Sequence, residues 1–132
     1  MPWQKGPLEM PLELNHAIVR CTDRNQAARF FADLVDVPPP HALGPFAAVR
    51  ANDYLTLDFY DEGPFVFGHF AFLVEDTEFD AILDRVVTGG LAYGSGPFSR
   101  DRAINRLNGG RGAYVWDSDG NSYEFFTTDP LG

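Results

Sequence analysis

The chain has 132 residues, 45% hydrophobic and 14% aromatic, which is enough apolar side chain for one domain with a sizeable core and too little length for two large ones. Ten Lys and Arg against nineteen Asp and Glu give a formal charge of -9, which argues against a nucleic acid or an anionic membrane as partner. A single cysteine, Cys21, excludes an intramolecular disulfide and a Cys-rich zinc site. With no apolar run of about 18 residues and no signal-like apolar core at the start, the cytoplasm is the expected location.

Residues 1–11, with Pro2, Gly6, Pro7 and Pro11, read as an irregular arm. A strand follows, with Leu12, Leu14, His16, Ile18 and Arg20 on one face and His16 at its middle. Thr22, Asp23 and Asn25 offer N-cap side chains to a helix whose apolar positions are Ala27, Ala28, Phe30, Phe31, Leu34 and Val35, stopped by Pro38, Pro39 and Pro40. His41, after the prolines, reads as a loop residue. Residues 46–50 and 54–60 read as strands, the second with Leu55, Leu57 and Phe59 alternating with polar neighbours. Residues 67–74 form the next strand, and a second helix carries Phe79, Ile82, Leu83, Val86 and Val87 up to Gly89 and Gly90.

An offset of 53 residues carries His16 onto His69, Asp23 onto Asp76 and Phe30 onto Leu83. Strand, cap and helix therefore recur in step, and the expected fold is α+β: a single domain over residues 1–132 with two βαβββ modules, about 12–62 and 65–128. The second module has a longer loop, residues 93–108, and closes on a hairpin. In that hairpin, Asp117, Ser118, Asp119, Gly120 and Asn121 turn between two aromatic-rich strands.

The last strand places one carboxylate, Glu124, among Tyr123, Phe125 and Phe126, where a charge needs a partner. His16 and His69 open corresponding segments. Two imidazoles and a carboxylate on rigid strands suit a site for Fe(II), Mn(II), Ni(II) or Zn(II) with positions left for substrate. Each histidine taken alone reads more often as a satisfied core or surface residue than as a ligand, and the joint placement favours the site.

On Asn15-His16, Gly68-His69 and the run from Asp117 to Glu124, the chain resembles the vicinal-oxygen-chelate superfamily of glyoxalase I, bleomycin-resistance proteins, fosfomycin-resistance transferases and extradiol dioxygenases. The resemblance covers residues 12–128, and Ser118 stands where the superfamily usually has Pro. It implies a curved mixed sheet around a cleft, a divalent metal held by His16, His69 and Glu124 with Glu124 also catalytic, and a small oxygen-bearing substrate. It also implies a homodimer in which His16 joins His69 and Glu124 across the interface. Glyoxalase I has a further ligand on the strand of residues 54–60, where Leu57 aligns; Asp58, one position on, reaches that place only through a bulge or altered register. The alternative activity is metal-free binding of a small drug, as in bleomycin-resistance proteins.

Residues 100–111 hold four of the ten basic residues. Arg100, Arg102, Arg106 and Arg111, with Asn108, are candidates to grip an anionic substrate group. The competing reading pairs these arginines with the surplus of acidic side chains. Cys21 reads as a small buried hydrophobe.

Overall fold

Strand β1 (His16–Arg20) alternates cleanly: Val19 is fully buried while His16 and Ile18 are exposed. Residues 12–132 are described by the structure, a computed structural model, and the expected arm at 1–11 lies outside them. His16 is the first residue of β1 rather than its middle. The chain then turns into helix α1 (Arg24–Val35), whose cap is Asp23: its carboxylate accepts from the amides of Asn25 and Gln26 at 3.1 Å each. Asp36, in the left-handed region at φ 58°, ends the helix before the prolines.

Strands β2 (His41–Leu43), β3 (Phe46–Arg50) and β4 (Thr56–Tyr60) complete the first sheet, in the order β1-β4-β3-β2 with β1 parallel to β4. His41 thus belongs to a short edge strand and not to a loop, because pairing with Ala48 holds it extended directly after the prolines. The second module repeats the plan with β5 (His69–Leu73), α2 (Asp76–Thr88), β6 (Tyr93–Gly94), β7 (Gly112–Trp116) and β8 (Ser122–Phe126) in the order β5-β8-β7-β6. The α+β class and the two modules are as the repeat predicts, with the strands divided into two four-stranded sheets.

One face of each sheet is core. Val19, Leu57, Phe59, Ala47 and Val49 from the first sheet cluster with Ala113, Val115, Tyr123 and Phe125 from the second and with the apolar faces of both helices. Phe31 of α1 sits at the junction, its ring 6.1 Å from Phe59, 5.7 Å from Phe72 and 5.3 Å from Tyr123. Burying such a ring is worth about 1.5–3 kcal/mol, and here a single side chain ties both sheets to one helix. The opposite faces stay open: Ile18, Leu43 and Leu73 are about half exposed there, at 47%, 55% and 57%.

The hairpin between β7 and β8 also joins the modules. Asp117 Oδ1 accepts the amides of Asp119, Gly120 and Asn121, which builds the turn. Asn121, fully buried, accepts from the Gly68 amide at 2.7 Å and donates to the Arg20 carbonyl at 2.8 Å. Asp119 accepts from Thr22 through both amide and hydroxyl, at 3.0 and 2.7 Å. The motif is thus a clasp from the end of β1 to the entry of β5. Cys21 lies beside it, buried, with its thiol pushed up to about 11 by burial and then by the nearby Asp119 and Asp61. Among the described residues, no helix is long and apolar enough to cross a membrane.

Candidate functional site

His69 and Glu124 come together on the open face of the second sheet. His69 pairs with Ser122, and Glu124 lies two residues further along β8 on the same face. His69 Nε2 is 3.1 Å from Glu124 Oε1, and its Nδ1 is 2.6 Å from Ser122 Oγ. Both imidazole nitrogens are therefore oriented by groups on one neighbouring strand. In one tautomer Nε2–H donates to Glu124. In the other the proton is on Nδ1, donated to Ser122, and Nε2 turns a lone pair toward a carboxylate oxygen.

That second state fits a metal. A ligating histidine commonly has its other nitrogen held by a hydrogen-bond partner, and two lone-pair donors facing each other at this distance are relieved by a cation. His69 and Glu124 supply two donors. His16 is not with them: it opens β1 in the other sheet, exposed, with Nδ1 2.9 Å from Asn15 Oδ1. Among the described residues of one chain, no three His, Cys, Asp or Glu side chains converge as a metal would need.

Around His69 the walls are aromatic. The Tyr114 ring stacks on the imidazole at 5.7 Å and on Trp116 at 6.3 Å. Burial and then the adjacent Glu124 carboxylate push the Tyr114 hydroxyl up, so it stays a proton donor at ordinary pH. A cavity of about 900 Å3 opens here, lined by Phe67, His69, Phe98, Arg100, Tyr114 and Trp116 among others. A second, smaller one of about 300 Å3 lies on the other side of Glu124, bounded by Ala71, Asn108 and Arg111.

The four loop arginines part company. Arg100 stands over Trp116, its guanidinium carbon 4.7 Å from the ring centroid, and faces the larger cavity. The loop can bring it there because Gly94 packs against the Ser99 carbonyl, where a side chain would collide. Arg111 borders the smaller cavity, but its guanidinium is bound to α2: 2.7 Å to Asp80 and 2.9 Å to Asp76, over the Phe79 ring at 4.6 Å. Arg102 takes a left-handed backbone at φ 60° and Arg106 is exposed; neither borders a cavity described above. Asn108 borders the Glu124 side only.

Register corrects the expectation for the strand of residues 54–60. Leu57 is 1% exposed in the core, and Asp58 is on the open face with His16, because β1 and β4 pair His16 with Thr56 and Ile18 with Asp58. No bulge is required. Sequence reading also missed Ser122, Tyr114 and Trp116 as neighbours of His69; alternation along β7 and β8 in step with Glu124 was the available signal.

No family model matches the sequence, and no curated protein does. Among solved structures the chain is similar to oxidase ChaP-H1, at 43% identity over 92% of this chain and 99% of that one, with a TM-score of 0.84. The chain belongs to the same family as this oxidase. Oxidase ChaP-H2 is 37% identical over 91% of this chain and 96% of its own, TM-score 0.83. Lactoylglutathione lyase from Agrobacterium tumefaciens shares the fold at 19% identity, with 90% of this chain and 96% of that chain covered and a TM-score of 0.70. Like these structures, the chain has paired modules, and it carries His69 and Glu124 on adjacent strands of the second.

Proposed function

We propose that the protein is a metal-dependent oxidase of the vicinal-oxygen-chelate type, acting on a small oxygen-bearing substrate. The observation that carries this reading is the His69–Glu124 pair, 3.1 Å apart at the edge of an aromatic cavity, in a chain 43% identical to oxidase ChaP-H1. The proposed donor set is His69 and Glu124 of one chain with His16 of a second copy. The half-exposed apolar side chains on the open faces, Ile18, Leu43 and Leu73, give a second copy something to cover.

When bound, a divalent ion, Fe, Mn, Ni or Zn, supplies a Lewis acid for two neighbouring substrate oxygens. The chain's own groups do the rest. Ser122 fixes the rotation of His69, and Tyr114 and Trp116 present flat faces against which a substrate lies. Arg100 gives an anionic substrate group a counter-charge at the cavity wall, to which Phe67 and Phe98 add apolar surface.

Metal analysis of protein purified without chelators tests this, together with size-exclusion chromatography. About one ion per chain, lost in His16→Ala, His69→Ala and Glu124→Ala, with elution as a dimer, is the expected result. A metal-free wild type that binds small aromatic ligands equally well in all three variants would replace it with a drug-binding protein.

A further inference from the structure

On the reverse of the second sheet the core is not closed. A crevice of about 270 Å3 opens where α1, α2 and the end of β5 meet, floored by Phe31, Phe72, Ile82 and Phe125. Phe72 pairs with Phe125 across β5 and β8, and alternation puts both on the face opposite His69 and Glu124. Their rings lie 5.6 Å apart and nearly parallel, with Phe31 5.7 Å from Phe72. Packed interiors seldom leave room larger than a water molecule beside side chains as buried as Phe31, Ile82 and Phe125.

The rim is acidic. Asp36, which caps the end of α1, and Glu78 of α2 line the mouth. Past Leu73 and Val74, which border both spaces, the crevice continues into an open groove of about 620 Å3 bounded by Glu75, Asp76 and Asp129. Among the described residues, no Lys, Arg or His lines either space. Arg85 donates to the Leu34 carbonyl at 3.0 Å and lies 3.7 Å from Asp36, and Arg111 holds Asp76 at 2.9 Å. Glu75, Glu78 and Asp129 make no ion pair among the described residues. An apolar floor beneath unpaired carboxylates complements a ligand that is apolar at one end and positive at the other.

We propose that this crevice binds a small organic cation, with a ring-sized apolar body against Phe31, Phe72 and Phe125 and an ammonium group at Glu78 and Asp36. The three rings add the attraction of their faces for positive charge. The site is separate from the cavity at His69 and needs neither a metal nor a second copy.

The test is an amide chemical-shift titration of the isotope-labelled full chain with phenethylammonium, its uncharged counterpart 2-phenylethanol and its anionic counterpart phenylacetate. Saturable shifts with phenethylammonium are expected at Phe72, Ile82 and Phe125 and not at Tyr114 or Trp116. Binding of 2-phenylethanol should be at least about threefold weaker and that of phenylacetate weaker still. Glu78→Gln, an exposed substitution, should weaken phenethylammonium binding by about three- to fivefold. Ala51→Phe, at the crevice wall, should weaken it by about tenfold or more in protein shown by thermal melts to be folded. Glu124→Ala should bind it as wild type does. No saturable shift up to about 10 mM, equal affinity for the three compounds, or unchanged affinity in Glu78→Gln overturns the proposal. So do shifts centred on Tyr114 and Trp116 that vanish in Glu124→Ala, which would put the cation beside His69.

Discussion

Asn121 Nδ2 donates to the Arg20 carbonyl at 2.8 Å while its Oδ1 accepts from the Gly68 amide at 2.7 Å, so one buried side chain holds β1 against the entry to β5. His16 and His69 begin those two strands. The turn motif therefore ties together the strands that carry His16 and His69 besides reversing the chain. Asn121→Ala leaves a buried donor and acceptor unpaired and should lower stability by about 2–4 kcal/mol in urea denaturation. A loss below about 1 kcal/mol would show that the clasp is dispensable.

Ser122 acts on His69 alone. Ser122→Ala removes the partner at 2.6 Å from Nδ1 and should weaken zinc binding by about 10–100-fold in calorimetric titration, with the melting temperature of the metal-free protein little changed. Equal zinc affinity in the two proteins would mean that packing against Tyr114 suffices to orient the ring.

Arg100 and Arg111 should separate cleanly. In a Trp3→Phe background, Trp116 is the sole tryptophan, and its fluorescence reports on the larger cavity. Arg100→Ala should weaken quenching by an anionic aromatic probe such as hydroxybenzoate by about three- to tenfold. Arg111→Ala should leave it unchanged, because that guanidinium is held on α2 by Asp76 and Asp80. Equal effects from the two would contradict the placement of Arg100.

Alkaline pH should destabilise the fold. The Cys21 thiol is pushed up to about 11 by burial, and burial raises the Tyr123 hydroxyl as well. Above about pH 9 the unfolded chain releases a thiol proton that the folded chain keeps, so stability falls as pH rises, by about 2 kcal/mol for Cys21 by pH 11. Cys21→Ala should flatten that part of the stability profile, read from urea midpoints between pH 8 and 11. A slope identical to wild type would assign the loss to Tyr123 and other groups.

Much of this was legible in the sequence because local and periodic signals coincide. Asp23 caps α1 as its position before Ala27 and Ala28 predicts, and the 53-residue offset matches His16 with His69 in equivalent strands, although each opens its strand instead of lying inside it. Alternation of Leu55, Leu57 and Phe59 identified the core face of β4 correctly. The error lay in giving Leu57 the ligand's place, since a core-facing position cannot share a face with an exposed His16; parity alone assigns that face to Asp58. The separation of His16 from His69 within one chain was implied by the resemblance and not by the residue pattern, because which sheet faces which depends on packing of α1 against both. Equally hidden was the division among the arginines: only the close approach of Gly94 to Ser99 and the carboxylates of α2 decide that Arg100 borders the cavity while Arg111 is engaged elsewhere.

The central claim, a centre built from two copies of the chain, is tested most directly by mixing two inactive partners. His16→Ala and Glu124→Ala each lack a donor at every site of their own dimers. In a mixed dimer, His16 of the Glu124→Ala chain meets His69 and Glu124 of the His16→Ala chain, restoring one site of two. After unfolding and co-refolding at equal amounts, cobalt binding should return to about a quarter of the wild-type stoichiometry, since about half the dimers are mixed. No recovery, in a sample shown by mass spectrometry to contain mixed dimers, would contradict the shared centre.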